Sequence, residues 1–422
     1  MVAVFWSRGG PDVLVVGAGL AGLACAKDLA DVGLDVQVLE AAEAVGGRMR
    51  SDRVGGCVID RGFQVFNTAY PQVRERLDLR ALRLRPFTPG VLVHTDRGRL
   101  RLSDPTRAPR DVVDLVRGRA AGPRDLAALA VLSGRDALLP AGRLKHRRDH
   151  DTRTALAAAG FSAPFVEGFF RPFLSGIFLE EELETSSRFF HLVWRSMVRG
   201  TLCLPTDGIG AVPAQLAGRL PAETVRLECP VEGLTDGGVL LGGGSGGAEV
   251  KAPVVVVATG PGPAAALLPD LAPPAYRTVT TYYHLCERSP LGEPTLLTDA
   301  RRRFLNTCVL SEVVPSCAPD GCSLVATSVL GADRPGREHT VRAALAEAYE
   351  ADTAGWELLT VRTVPAALPA MLPGHPLSRT SRIARGRYVC GDHRATGSVQ
   401  GALASGARAA REIIADLRRG AA

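Results

Sequence analysis

An α/β fold is predicted by three features of the 422-residue sequence. The apolar run Asp12-Val-Leu-Val-Val16 leads directly into Gly17-Ala-Gly-Leu-Ala-Gly22, which opens a helical pattern lasting through Leu29. Strand patterns recur over 224–227, 238–241 and 254–257. Near the C-terminus, strand-like Tyr388-Val-Cys390 is followed by a helical pattern over 401–417.

A short run of β-branched and aliphatic residues such as 12–16 suits a parallel strand buried on both faces. The spacing of Gly17, Gly19 and Gly22 is G-x-G-x-x-G. The first glycine allows the tight turn, the second lets a pyrophosphate approach the backbone, and the third lets helix and strand pack closely. The N-terminus of the helix then faces the phosphates. Gly33 ends that helix, and 35–40 forms a second strand ending in Glu40, whose carboxylate can accept hydrogen bonds from ribose hydroxyls. This start is Rossmann-type and fits NAD or FAD. The glycine cluster 242–247 reads as a hairpin tip, because no helix follows it. Gly260-Pro-Gly-Pro263 is rigidified by prolines that deny it the amides of a phosphate cradle. A second dinucleotide fold is therefore not expected.

Two stretches interrupt these α/β pieces. Residues 71–200 read as mostly helical, and 263–373 as mixed strand and helix. The expected architecture is a discontinuous nucleotide-binding domain from 1–70, 201–262 and 374–422. An inserted α+β substrate domain takes 71–200 and 263–373.

Bulk composition narrows the function classes. The hydrophobic share of 46% and charged share of 22% suit a soluble globular protein. The net charge is +6, and between Arg97 and Arg153 there are 14 Lys or Arg against 7 Asp. That stretch holds no Phe, Tyr or Trp, so it lacks the stacking residues of a nucleic-acid face, and no nucleic acid is expected as partner. It reads first as a solvated face and second as a contact with anionic lipid headgroups. The nine cysteines are scattered and never spaced C-x-x-C, so no disulfide framework and no metal site is expected. Reduced thiols, an N-terminus too mixed for a signal peptide and the lack of an 18-residue apolar run point to a cytoplasmic protein. A peripheral position at the inner face of the membrane is the variant of that reading.

The residues after Glu40 separate the two cofactors. Glu40-Ala-Ala-Glu-Ala-Val-Gly-Gly-Arg48 resembles the continuation found in the flavin amine oxidase superfamily, which also holds phytoene desaturases and protoporphyrinogen oxidases. The resemblance implies that Gly46, Gly47 and Arg48 lie close to the FAD pyrophosphate. Arg387-Tyr-Val-Cys-Gly-Asp392 with Gly397-Ser-Val-Gln-Gly-Ala402 is similar to the family's C-terminal flavin motif. By that similarity Gly391 and Asp392 belong beside the ribityl–phosphate region, and the amides of Val399 and Gln400 face the pyrimidine edge. Cys229-Pro-Val231-Glu-Gly and Val254-Val-Val-Val-Ala-Thr-Gly260 resemble the middle FAD segment, in which Val231 holds the adenine. Asp60-Arg-Gly-Phe-Gln-Val-Phe66 resembles the turn passing the isoalloxazine, which makes Gly62, Phe63 and Gln64 the flavin-facing wall. For the Phe63 and Phe66 side chains a core role stays equally open.

Phe165-Val-Glu-Gly-Phe-Phe-Arg-Pro-Phe173-Leu-Ser-Gly-Ile-Phe178 resembles the segment before the cavity of desaturase-like members, either as pocket wall or as core. Amine-oxidising members commonly keep a lysine near the flavin, whereas this chain has only Lys27, Lys145 and Lys251. The covalent-flavin cysteine site is unfilled too, which implies non-covalent FAD. The resemblance thus implies an FAD-dependent oxidoreductase of desaturase or oxidase type. It would take hydride from a largely apolar, lipophilic small molecule and pass electrons to oxygen or a quinone. A flavin amine oxidase, a redox-neutral FAD-dependent isomerase and a non-catalytic flavin-binding protein are the alternatives. Polar candidates for the substrate side are Gln64, Arg171, His191, Tyr282, Tyr283 and His284.

Overall fold

Five parallel strands and one antiparallel edge strand form the sheet at the centre of the computed structural model, which describes residues 10–103, 121–243 and 247–420. Their spatial order is Val225–Arg226, Val36–Leu39, Val13–Val16, Val254–Val257, Arg387–Val389 and Arg382–Ala384. Numbered along the chain, the parallel strands run 3-2-1-4-5, the Rossmann order. The order reverses between Val13–Val16 and Val254–Val257, and there the open sheet leaves a crevice at the strands' C-terminal ends. Both strands are buried throughout, which explains their unbroken apolar sequence.

Alternate residues of these strands pack in opposite directions. Val13, Val15, Val254 and Val256 meet the helices Leu20–Ala30 and Val399–Gly420. Leu14, Val16, Val255 and Val257 meet a three-stranded sheet (231–251) and the helix Pro261–Leu267. The two long helices touch closely: a Cβ on Gly406 would lie 2.1 Å from the Ala21 carbonyl oxygen.

A second sheet has seven strands, in the order Glu357–Pro369, Tyr276–Cys286, Ser323–Leu330, Asn306–Val309, Leu297–Asp299, Gly90–Thr95 and Gly98–Ser103. One face packs on helices within 123–199 and the other on Arg337–Tyr349. The described part of 71–200 is mostly helical, as expected, but 90–103 forms a hairpin that the sequence reading lacked, and its first strand pairs in parallel with Leu297–Asp299. Its Arg99-Leu-Arg-Leu alternation is a strand pattern with one solvated face.

The glycine cluster joins the antiparallel strands Gly238–Leu241 and Glu249–Lys251, as a hairpin tip does, although 244–246 lie outside the described residues. In Gly260-Pro-Gly-Pro263, Pro261 occupies the first position of the helix Pro261–Leu267, where its missing N–H costs nothing. The middle of the basic stretch, 104–120, lies outside the described residues. Among the described residues no helix is long and apolar enough to cross a membrane.

Candidate cofactor site

The crevice between the two central strands is built from glycine. Gly17 follows its strand at φ +104°, and a Cβ there would lie 3.0 Å from the Ala258 carbonyl oxygen. At Gly22 a Cβ would sit 2.0 Å from the Gly17 carbonyl oxygen, so the third glycine is required for helix and strand to touch. Gly19 differs from both. Its backbone is extended, and a Cβ on it would meet no protein atom within 4 Å. The space before Gly19 is open, as the approach of a pyrophosphate to the backbone requires. No side chain caps the helix Leu20–Ala30, and its first turn carries no acid, so its positive end is left for an external anion.

Glu40 ties the neighbouring strand to this loop. Its two carboxylate oxygens accept hydrogen bonds from Ala18 N at 2.7 Å and Ala42 N at 3.0 Å. The Gly46–Arg48 turn comes back to the same place: Gly19 and Gly46 form a parallel bridge, and a Cβ on Gly47 would lie 3.7 Å from Gly19 Cα. Gly46 and Gly47 hold φ +117° and +59°, which favours glycine at both. Arg48 reaches across to the C-terminal motif, donating to Asp392 Oδ1 at 2.7 Å and to the Ala367 carbonyl at 2.9 Å. Gly391, at φ +150°, donates its amide to Ser405 on the long C-terminal helix. That helix begins at Val399, and Gln400 accepts from the Gln72 amide at 3.0 Å. Val231 opens a strand paired with Leu241 on the far side of the sheet.

The 60–66 motif docks onto the strand Tyr276–Cys286. Phe63 N donates to Thr281 Oγ1 at 3.3 Å, Tyr283 OH to the Asp60 carbonyl at 2.7 Å, and Gln64 Nε2 to the Arg48 carbonyl at 2.7 Å. A Cβ on Gly62, at φ +89°, would lie 3.0 Å from the Val364 side chain. The Asp60 carboxyl is buried, which pushes it up to about 6 despite hydrogen bonds from Ser51 Oγ and the Ile209 amide.

The six polar candidates do not converge. Gln64 and Tyr283 meet at the 60–66 turn. Tyr282 and His284 point to the other face of the sheet, bonding Asp333 and Glu338. Arg171 is held by Glu167 and Glu182, and His191 by Asp136. The phenylalanines of 165–178 pack mainly on one another and on Trp194, with Phe165, Phe169, Phe170 and Phe178 buried. They build core.

Three polar atoms passed over in the sequence are buried without a protein partner: Thr259 Oγ1, Tyr276 OH and His393 Nε2. Thr259 lies beside Gly17 at the strand's C-terminal end, where the ligands of such sheets bind, so its position alone could have flagged it. His393 follows Asp392, and burial pushes its imidazole down to about 4. Tyr276 sits within electrostatic reach of Arg48 and Asp392, and burial raises its phenol. Orphaned donors and acceptors beside an open glycine cradle fit a polar dinucleotide.

The family model for flavin containing amine oxidoreductases matches residues 20–414. Protoporphyrinogen oxidase 2 of Arabidopsis thaliana is 37% identical over 107 residues, 25% of this chain and 21% of that one. Lysine-specific histone demethylase 1B of Mus musculus is 52% identical over 57 residues, 13% of this chain and 7% of that one. These alignments therefore span about a fifth or less of the curated relatives' length. The fold is shared with a protoporphyrinogen oxidase candidate from Exiguobacterium sp. 255-15, at a TM-score of 0.72 and 18% identity over 97% of this chain and 100% of that one. Putrescine oxidase shares it at 0.67 and 19%, over 96% and 99%. With its glycine cradle, its Arg48–Asp392 bridge and a family match that runs over most of its length, the chain belongs to the flavin containing amine oxidoreductases, a family of FAD-dependent enzymes.

Proposed function

We propose that the chain binds FAD non-covalently and takes hydride at flavin N5 from a largely apolar small molecule, as a desaturase or oxidase. In this reading Gly17, Gly19, Gly22, Gly46, Gly47 and Arg48 receive the pyrophosphate and Glu40 the ribose. Val231 holds the adenine, Gly391 and Asp392 the ribityl region, and Val399 and Gln400 the pyrimidine edge. Gly62, Phe63 and Gln64 form the flavin-facing wall. Bound FAD supplies the hydride acceptor. The polypeptide contributes position and the exclusion of water. The domain division is 1–70, 201–262 and 374–422 for FAD against 71–200 and 263–373 for substrate. The location is cytoplasmic, and oxygen or a quinone accepts the electrons.

The observation that carries the apolar reading is where the lysines lie. Lys27 pairs with Asp31 on its own helix, Lys251 lies 3.9 Å from Glu249 at a strand edge, and Lys145 is exposed on a short helix. None stands at the Gly62–Gln64 wall, whose surroundings are Thr281, Tyr283, Val364 and Phe87. Non-covalent attachment is supported by Cys390, which is wholly buried, its thiol pushed up by burial to about 12. A flavin amine oxidase is the second reading, favoured by the family description itself.

Anaerobic mixing with panels of porphyrinogens, polyenes and primary or secondary amines tests both. Bleaching of the flavin absorbance by an apolar substrate and by no amine is the expected result. Bleaching by amines alone overturns the first reading in favour of the second. Bleaching by none leaves the flavin-binding role without turnover.

A further inference from the structure

Helices within 121–200 form a cavity of about 150 Å³ that no residue of the glycine cradle lines. Its polar lining is Arg135, Arg147, Arg148, His150, Ser187 and His191, and alanines complete it. Among the described residues no carboxylate lines it. Three acids stand behind the wall: Asp149 accepts from Ser187 Oγ at 3.3 Å, Asp151 caps the helix Thr152–Ala158, and Asp136 holds the inner end. Asp136 is fully buried, and its Oδ2 lies 2.7 Å from His191 Nδ1 while its Oδ1 accepts from Arg135 Nε at 2.9 Å. One carboxylate therefore fixes both the imidazole and the guanidinium. Arg135 Nη2 lies 3.1 Å and 3.4 Å from the two ring nitrogens, so the arginine is held against the ring.

Arg147 and Arg148 stand at the rim, exposed, and among the described residues neither guanidinium has a carboxylate partner. The lining itself carries three guanidiniums, while behind it Asp136 pairs with Arg135, Asp149 pairs with Arg188, and Asp151 caps the helix Thr152–Ala158, which leaves Arg147 and Arg148 as the uncompensated charges. Planar forks of this kind match the oxygens of a tetrahedral oxyanion, and a buried, pre-positioned histidine adds a directional contact. Beside Arg135, the helix Pro123–Leu138 exposes Val131 and Leu138, which are 70% and 84% accessible. Their i−4 and i+3 spacing from Arg135 puts them on its face of the helix.

We propose that this cavity is a binding site for a phosphate group, gripped by Arg147 and Arg148 at the rim and by Arg135 and His191 inside. Two sources carry that group, a soluble phosphate and a phospholipid headgroup, and the exposed Val131 and Leu138 would suit the second. No residue of the glycine loop, the Gly46–Arg48 turn or the C-terminal motif lines the cavity, so its occupancy is measured independently of flavin chemistry.

The test uses the FAD-loaded full chain. Inorganic phosphate is titrated calorimetrically, and phosphatidylcholine vesicles with and without phosphatidic acid are co-sedimented at fixed salt. Each probe is applied to wild type, to Arg147→Ala/Arg148→Ala and to the charge-matched control Arg124→Ala/Arg143→Ala, whose positions are exposed and outside the lining. Saturable binding of a probe, weakened about tenfold in the rim variant and unchanged in the control, is expected, as for loss of charge-assisted hydrogen bonds. Binding of inorganic phosphate identifies a soluble source, and binding of phosphatidic acid vesicles alone identifies a headgroup. Absence of binding to either probe, or equal weakening in both double variants, overturns the proposal.

Discussion

Arg48 and Asp392, 344 positions apart in the chain, are joined by a 2.7 Å hydrogen bond that ties the Gly46–Arg48 turn to the C-terminal motif. The same guanidinium reaches the Ala367 carbonyl at 2.9 Å, which a lysine ammonium could not do simultaneously with the same geometry. Arg48→Lys should therefore weaken FAD retention even though charge is kept, by about tenfold, the equivalent of one charge-assisted hydrogen bond. In a double-mutant cycle with Asp392→Asn, flavin affinity should show a coupling energy of about 0.5–3 kcal/mol. Additive losses would mean that the pair does not act as a unit on the cofactor.

Gly19, Gly22 and Glu40 should fail in different ways when substituted. At Gly19 an added side chain meets no protein atom and the backbone is already extended, so Gly19→Val should fold with the melting temperature of flavin-free wild type yet purify without flavin. At Gly22 a Cβ collides with the Gly17 carbonyl at 2.0 Å, so Gly22→Ala should lose stability whether or not FAD is present. Glu40→Ala should weaken FAD binding by about 1–3 kcal/mol through unpaired ribose hydroxyls. Thermal melts and the flavin-to-protein absorbance ratio separate the three. Full flavin occupancy in the Gly19 variant would place the pyrophosphate elsewhere.

These positions were legible in the sequence because their signal is local. A strand, a glycine turn and a helix are contiguous, so Val13–Val16, Leu20–Ala30 and Val254–Val257 follow from spacing and burial alone. The seven-stranded sheet was not legible in the same way. Its strands Gly90–Thr95 and Leu297–Asp299 pair across roughly two hundred residues, and the hairpin 90–103 is followed by the basic run that dominates 71–200. Nor could the strand 276–286 reveal which of Tyr282, Tyr283 and His284 faces the 60–66 turn. Alternation assigns Tyr283 to one face and its two neighbours to the other, but only the packed sheet shows that the 60–66 turn lies on Tyr283's side.

Asp60 sets a pH dependence with a definite sign. Burial raises its carboxyl from 3.8 to about 6, so between those values the folded chain holds a proton that the unfolded chain has released. Stability contributed by this group is present below 3.8 and is lost as pH rises through about 6. Asp60→Asn keeps an acceptor for Ser51 and the Ile209 amide but cannot ionise. The wild type should therefore lose stability relative to the variant across that interval in urea denaturation. A difference that stays flat with pH would show that Asp60 ionises normally in the fold.

Attachment of the flavin can be read directly. With Cys390 buried as a thiol in the core beside Cys25, the strand end nearest the C-terminal motif offers no accessible sulfur for a covalent bond. Acid precipitation should leave yellow FAD in the supernatant, and colour retained in the washed pellet would contradict the non-covalent reading.

Electrons should enter from the organic substrate and not from a nicotinamide. Among the described residues, the five parallel strands of the Rossmann sheet surround one glycine loop of the G-x-G-x-x-G type, at Gly17–Gly22. The other strand-to-helix junction that resembles a phosphate cradle follows Val254–Val257, and its helix is only Pro261–Leu267. Pro261 and Pro263 lack N–H groups, so two of the amides that would face a pyrophosphate in its first turn do not exist. Glycine at 260 and 262 gives room there without supplying the donors. NADH and NADPH should accordingly neither bind stoichiometrically nor reduce the flavin quickly, and stopped-flow absorbance under anaerobic conditions measures this. Bleaching by NADPH at a rate comparable with that of the best organic substrate would require a nicotinamide site at this second junction, and the Pro261→Ala/Pro263→Ala variant would then be expected to tighten NADPH binding by restoring the missing amides.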